Sequence, residues 1–292
     1  MKTVKGLHEK MGTFENANTS FHQAARCKRY TNEVLAFSMV KEEELLRATE
    51  EIQNLTYRQG EYKIFKVFEP KERLIMALPF YDRVVQHMIC NAIQPVFENG
   101  FYYHSYACRS GKGMHAASDT LYQWMYETEV KQGLRMYAFK GDISKYFASI
   151  PHDKLKDENR RYIGDKKALM LMDDIIDHNG ILPDGVGIPV GNLTSQLFAN
   201  VYGNKLDKFC KHVLHIPYFV RYMDDFIILS DDLEQLKEWV KRIEEFLENE
   251  MLLHINPKST ILYAGNGIDF CGYIHYADHK KVRKSSIRKL KQ

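Results

Sequence analysis

The stretch from Tyr218 to Asp232, YFVRYMDDFIILSDD, constrains the fold more than any other part of the chain, because it sets two pairs of adjacent aspartates inside an apolar and aromatic run. Adjacent carboxylates repel, and apolar surroundings raise the cost of keeping them ionised unless a cation lies between them. Tyr218–Val220 and Phe226–Leu229 are strong strand formers. The spacing therefore predicts a β-hairpin whose tight turn falls at Met223-Asp224 and projects Asp224 and Asp225 beyond the end of a buried sheet. Asp231-Asp232 ends the second strand, and Asp231 with Glu234 has capping-box spacing, which predicts the start of a helix. A third pair, Asp173-Asp174, falls in a helical pattern, where successive side chains point about 100° apart, and is read as a solvated face.

Around that hairpin, apolar periodicity predicts a chain rich in helices with short strands between them. Residues 41–60 read as an amphipathic helix ended by Gly60. Residues 61–79 alternate in two β-like runs that turn at Glu69–Glu72, a hairpin carrying Lys71 and Arg73. A helix starts at Asp82, and another follows the loop Arg109–Gly113. An aromatic-rich strand runs into Lys140-Gly141-Asp142, followed by a turn and a short helix near 151–163. Helices are predicted over 165–180, over 192–214 and after Asp232, with short strands at 253–264 and 268–276. Residues 181–191 hold too much glycine and proline for a regular element. The N-terminal forty residues are expected to pack on this body.

At 292 residues, with 45% hydrophobic side chains, the chain has ample material for a buried core. Its apolar runs fall short of the ~18 residues of a membrane span, and its start lacks the apolar region of a secretory leader. A cytoplasmic protein without a membrane partner is expected. The five cysteines, Cys27, Cys90, Cys108, Cys210 and Cys271, never form a C-x-x-C pair, which argues against a disulfide framework or zinc site and for buried structural thiols. Residues 280–292 carry seven cations and no acid, suited either to a phosphate backbone or to a solvated end.

Carboxylates clustered at the end of a buried sheet are what Mg²⁺ requires, since it prefers oxygen ligands in octahedral geometry. A two-metal phosphoryl-transfer centre needs a further carboxylate from elsewhere in the chain. Asp142, at the end of its own strand, is the best candidate; the alternative for it is a turn or N-cap residue.

Taken together these motifs resemble those of reverse transcriptases, in family order across nearly the whole chain. Tyr222-Met223-Asp224-Asp225 is similar to the catalytic hairpin, 140–152 to the first palm motif, 187–200 to the next, 253–260 to the one after the hairpin, and 268–273 to the primer-grip strand. The stretches 70–98 and 104–117 resemble the fingers of bacterial members. The resemblance implies an α+β right-hand polymerase with an antiparallel-sheet palm, helical fingers and a thumb largely missing. Its expected divisions are an N-terminal helical extension over 1–59, fingers over 60–135, a palm over 136–278 with a helical insertion at 155–185, and the start of a basic thumb over 279–292.

The resemblance also implies roles. Asp142, Ile143, Asp224 and Asp225 would hold two Mg²⁺ ions, with Mn²⁺ as a substitute. Lys71 and Arg73 would clamp the incoming dNTP, unless they are simply charges on an exposed turn. Phe147 would act as the gate against a ribose 2′-hydroxyl, or as a core aromatic, or both. Val190, Gly191 and Gln196 would contact the nucleotide, Gly191 through close backbone approach. Lys258 would be a general acid for pyrophosphate or part of an ordinary turn. Arg109, Lys112, Tyr222, Met223, Phe270 and Gly272 would face the template RNA and cDNA primer.

Val190-Gly191 and Ser195-Gln196 replace the usual Gln-Gly and Ser-Pro of the family, and with YACRSGKG they resemble the enzymes of diversity-generating retroelements, which are bacterial or phage-encoded. This implies misincorporation opposite template adenines and a small basic accessory protein. A retron or group II intron-like enzyme, or a catalytically impaired RNA-binding relic, are the alternatives.

Overall fold

The computed structural model describes residues 3–68 and 72–290. In chain order its elements are α1 (Leu7–Met11), α2 (Phe14–Ala24), α3 (Asn32–Met39), α4 (Lys41–Gln53), β1 (Lys63–Val67), β2 (Arg73–Ala77), α5 (Phe80–Glu98), α6 (Met114–Met125), β3 (Tyr137–Asp142), α7 (Tyr146–Ser149), α8 (His152–Tyr162), α9 (Lys166–Asp177) and α10 (Leu193–Lys208). There follow β4 (Tyr218–Tyr222), β5 (Asp225–Ser230), α11 (Leu233–Phe246), β6 (Thr260–Tyr263), β7 (Ile268–Phe270), β8 (Tyr273–His275), β9 (Lys280–Val282) and α12 (Lys284–Leu290). The chain divides into two compact units, residues 1–100 with 147–201, and residues 101–146 with 202–292. Among the described residues no helix is long and apolar enough to cross a membrane.

In the first unit α5 is the spine. Its buried stripe of Val84, Val85, Met88, Ile89, Ile93 and Phe97 gives α1, α2 and α3 a face to pack on. The rings of Phe21, Phe37 and Phe80 meet at centroid distances of 5.1–6.0 Å. The N-terminal residues are thus built into this core, as expected. The strands β1 and β2 pair antiparallel from Lys63↔Ala77 to Val67↔Arg73, in the hairpin predicted from alternation.

The helix predicted to run to Gly60 ends earlier, at Gln53. Leu55 turns left-handed with φ 58°, and the Thr56 and Tyr57 amides cap the Glu51 carbonyl, which closes the helix before the glycine is reached. Gly60 instead donates its amide to Asp82 Oδ1 at 3.1 Å.

The second unit holds an antiparallel sheet in the order β4-β5-β3-β6 and a three-stranded sheet β7-β8-β9. Alternation in the first sheet sends Ala138, Val220, Ile227 and Leu229 into a core with Leu121, Met125, Ile268 and Phe270. Phe139, Phe219, Phe226 and Ile228 are buried as well, so both faces are covered and the strands read as continuous apolar runs. Asp232, not Asp231, caps α11: its Oδ1 accepts from the Glu234 and Gln235 amides at 2.9 and 3.0 Å. The helix start was correctly predicted and the capping residue displaced by one. Asp174 is exposed on α9 as predicted, while Asp173 pairs with Arg160.

Only Cys90 and Cys210 are buried; Cys27 and Cys108 are exposed and Cys271 is half-buried. The expectation of uniformly buried thiols fails because Cys27, Cys108 and Cys271 lie in turns between elements, outside the helices and strands that face the core.

Candidate active site

Strand register in the second unit brings the three predicted carboxylates to one place. Asp142, the last residue of β3, lies opposite Asp225, the first residue of β5, and Asp225 also pairs with Tyr222 across the hairpin. Between them Met223 and Asp224 form the two-residue turn, with Met223 left-handed at φ 58°. The turn is tied to β3 by the Ile143 amide, which donates to the Asp224 carbonyl at 3.2 Å. Ile143 itself is buried. Tyr222 is half-buried, and burial, with the Cys108 and Cys271 thiols beside it, raises its hydroxyl pKa.

The Asn256–Ser259 turn docks on Asp142 from the other side. The Asn256 amide N–H donates to the Asp142 carbonyl at 2.7 Å, its side-chain Nδ2 donates to Asp142 Oδ2 at 2.6 Å, and Ser259 Oγ accepts from the Asp142 amide at 3.0 Å. Lys258 is exposed on this turn, with its amide donating to Asn256 Oδ1 at 3.1 Å. Asn256 and Ser259 were not singled out from sequence, where NPKST reads as a turn and nothing more.

Burial, then Asp224 and then Asp142, pushes the Asp225 carboxyl up to about 6. The Lys140 charge opposes this only in part, and negative charge on hard oxygen donors is the chemistry a divalent cation satisfies. The donor set fits such an ion. Among the described residues no group of three or more His, Cys, Asp or Glu side chains is placed to hold a metal ion by itself, so backbone or substrate oxygens would have to complete the shell. Asn256 holds one oxygen of Asp142, Oδ2, while Asp142 also hydrogen-bonds Asp225.

Behind the turn lies a feature the sequence reading missed. Arg221 and Asp207 are both fully buried and joined by two hydrogen bonds, Nε to Oδ1 at 2.6 Å and Nη2 to Oδ2 at 2.7 Å. Burial alone would lower the Arg221 pKa, but the Asp207 charge and hydrogen bonds raise it, so the guanidinium stays charged. The available signal was a single arginine within an apolar strand run, which demands a buried anion but does not say which.

Other predicted residues of this unit have structural partners. Arg109 donates to the Tyr102 and Ser105 carbonyls at 2.8 and 2.7 Å. Lys112 donates to the Tyr103 carbonyl at 2.9 Å and lies 3.4 Å from the Tyr103 ring centroid. Both cations shape their own loop. Phe270 is a core residue whose side chain packs with Leu121, Met125 and Ile268; Gly272 follows it with φ 84°.

The first unit gathers a separate set. The Val190 carbonyl accepts from the Met76 amide at 3.1 Å. Gly191 has φ 123°, and a Cβ there would lie 3.1 Å from the Met76 carbonyl oxygen. The close approach that this glycine permits is therefore to β2. Gly191 and Gln196 line a cavity of about 670 Å³ together with Lys63, Phe65, Ile75 and Gln86. Arg73 is exposed at the start of β2, Phe147 is half-buried in α7, and Lys71 lies outside the described residues.

Residues 66–275 match the family model for reverse transcriptase (RNA-dependent DNA polymerase). Protein YkfC of Escherichia coli K12 is 25% identical over 251 residues, covering 70% of this chain and 62% of the relative. An uncharacterized 91 kDa protein in a cob intron of Schizosaccharomyces pombe is 29% identical over 137 residues, covering 45% of this chain and 16% of that protein. The telomerase of Candida albicans, solved with a TWJ fragment of telomeric RNA, shares the fold with a TM-score of 0.56 at 12% identity, over 79% of this chain and 48% of that one. The chain thus spans under two thirds of the length of each of these proteins.

Proposed function

The chain belongs to the reverse transcriptase family, and on that premise we propose that it is an RNA-directed DNA polymerase that copies a template RNA into cDNA. The observation that carries this reading is the register that sets Asp142 opposite Asp225 beside the Asp224 turn. Divalent cations held by Asp142, Ile143, Asp224 and Asp225, Mg²⁺ or Mn²⁺ in its place, would make the primer 3′-hydroxyl a better nucleophile and neutralise charge on the triphosphate and departing pyrophosphate. Asn256 orients the Asp142 carboxylate through Oδ2. Lys258 protonates the leaving group through Nζ. In the fingers, Lys71 and Arg73 clamp the triphosphate, Phe147 excludes the ribose 2′-hydroxyl, and Val190 and Gln196 border the base pair being formed.

Within that activity we assign the chain to the adenine-mutagenic type found in diversity-generating retroelements, acting with a small basic accessory protein. Val190-Gly191 and Ser195-Gln196 support this, because valine offers only shape where an amide would hydrogen-bond. A group II intron-like enzyme is the second reading, favoured by the relative encoded in a cob intron.

The test is primer extension on an RNA template with Mg²⁺, with the cDNA sequenced. Wild type is expected to extend and Asp224→Asn to lose at least about a thousandfold in rate, as for a group acting on the transition state. Errors concentrated opposite template adenines support the mutagenic type, and an even spectrum supports the intron-like one. Absence of metal-dependent product from wild type, with or without a basic partner, would return the chain to an RNA-binding relic.

A further inference from the structure

Arg221 stands in β4 immediately before Tyr222-Met223-Asp224-Asp225, yet its side chain is buried as completely as that of Asp207 on α10. Taking an ion pair out of water costs more than an apolar pair of similar volume, so retaining one in a core calls for a reason other than stability. The geometry supplies it. Asp207 occupies Nε and one Nη2 hydrogen, and Ser105 Oγ accepts from Nη2 at 3.0 Å. Nη1 donates to the Met223 carbonyl at 2.8 Å, inside the turn itself. Met223 is the residue held left-handed, a conformation that costs a non-glycine side chain of order 1 kcal/mol or more unless its surroundings impose it.

The surroundings are assembled around this one guanidinium. The Arg221 amide donates to the His104 carbonyl and the Tyr106 amide to the Arg221 carbonyl, both at 3.0 Å, so residues 104–106 are stitched along β4 and deliver Ser105. On α10, Gly203 leaves the space: a Cβ there would lie 2.7 Å from Arg221 Nη1 and 2.9 Å from the Tyr146 hydroxyl. A pair serving charge balance alone would need neither the Met223 bond nor this clearance.

We propose that the Asp207–Arg221 pair is a positioning device that holds the Met223 carbonyl and so fixes the strained turn presenting Asp224 and Asp225 to Asp142. The proposal rests on the reading of that turn as the metal-holding catalytic hairpin. Arg221 acts through the turn and touches no substrate.

Two variants test it: the neutral double substitution Asp207→Leu with Arg221→Met, and Gly203→Ala, which crowds Nη1 while favouring the helix. Each is compared with wild type and Asp224→Asn by thermal melting, template–primer affinity, kcat at varied Mg²⁺, and Mn²⁺ binding by electron paramagnetic resonance. The double variant is expected to fold and to bind template–primer within about twofold of wild type, while kcat falls about tenfold or more and both the half-maximal Mg²⁺ and the Mn²⁺ dissociation constant rise several-fold. Gly203→Ala is expected to move the same quantities the same way by less. A folded variant with wild-type kcat and Mn²⁺ affinity overturns the proposal, and if the double variant does not fold, Gly203→Ala decides alone. Wild type that fails to extend a primer counts against the proposed function, whereas the clamp is still decided by whether Gly203→Ala weakens the Mn²⁺ binding that Asp224→Asn abolishes. Wild type that binds no Mn²⁺ overturns the clamp together with the hairpin reading beneath it.

Discussion

Val190 is held at its backbone, and its side chain is half-buried. Its carbonyl is bonded to the Met76 amide, and Gly191 beside it is pinned by positive φ and by contact with β2. Val190→Gln is therefore expected to change chemistry without moving the chain, lowering misincorporation opposite template adenines by about tenfold, the scale of one pocket contact, while kcat on matched nucleotides changes little. Sequencing of cDNA from both proteins checks it, and an unchanged error spectrum would remove Val190 from the explanation. Gly141 is a residue of the opposite kind. A Cβ there would lie 2.3 Å from Cζ of Phe226, which is its register partner on β5, so the glycine of the KGD motif serves the packing that sets Asp225 beside Asp142. From sequence the glycine is only a residue of the strand that runs into Asp142; its reason lies 85 residues away, and no local pattern carries that.

At the scale of elements, Asp165 joins two helices. It caps α9 by accepting from the Lys167 and Ala168 amides through Oδ1, and its Oδ2 accepts from the Leu7 and His8 amides at the start of α1. Burial alone would raise its pKa, but the amides of His8, Ala168 and Leu7 outweigh burial and lower it. A depressed carboxylate pKa contributes stability above the unfolded value and loses it as pH falls through the folded one. Asp165→Ala is thus expected to cost about 1–2 kcal/mol at pH 7, with the difference from wild type shrinking below about pH 4, as denaturant melts at the two pH values would read. Most elements were legible because turn chemistry and apolar period are short-range: the two hairpins, the strand at Asp142 and the helix after Asp232 fall where expected. The misplaced ends, Gln53 for Gly60 and Asp232 for Asp231, were settled by backbone bonds within each segment: the Thr56 and Tyr57 amides on the Glu51 carbonyl, and the Glu234 and Gln235 amides on Asp232 Oδ1.

For the whole molecule, charge is the property that sequence states most directly. Thirty-four cations face 38 acids outside the tail, and seven cations lie within residues 280–292. Inside the tail, Arg283 pairs with Asp269 and Lys280 with Asp119. Truncation after Arg283 is expected to weaken template–primer binding and to make the slope of log K against log salt less negative by about one to three, since each lost phosphate contact removes close to one released counterion. Filter-binding across a salt series measures this, and an unchanged slope would assign the tail to solvent.

The sequence by itself determined the order of elements and the hairpin turn at Met223-Asp224, and it made Asp142, Asp224 and Asp225 the candidate carboxylates, because each follows from side-chain chemistry and spacing within a few residues. Only the tertiary structure decided what surrounds them: Asn256 on Asp142, Phe226 over Gly141, and Asp207 with Ser105 on Arg221. Burial obliges each of these groups to find a partner, but strand register and helix packing choose it, and those are set by contacts between residues far apart in the chain.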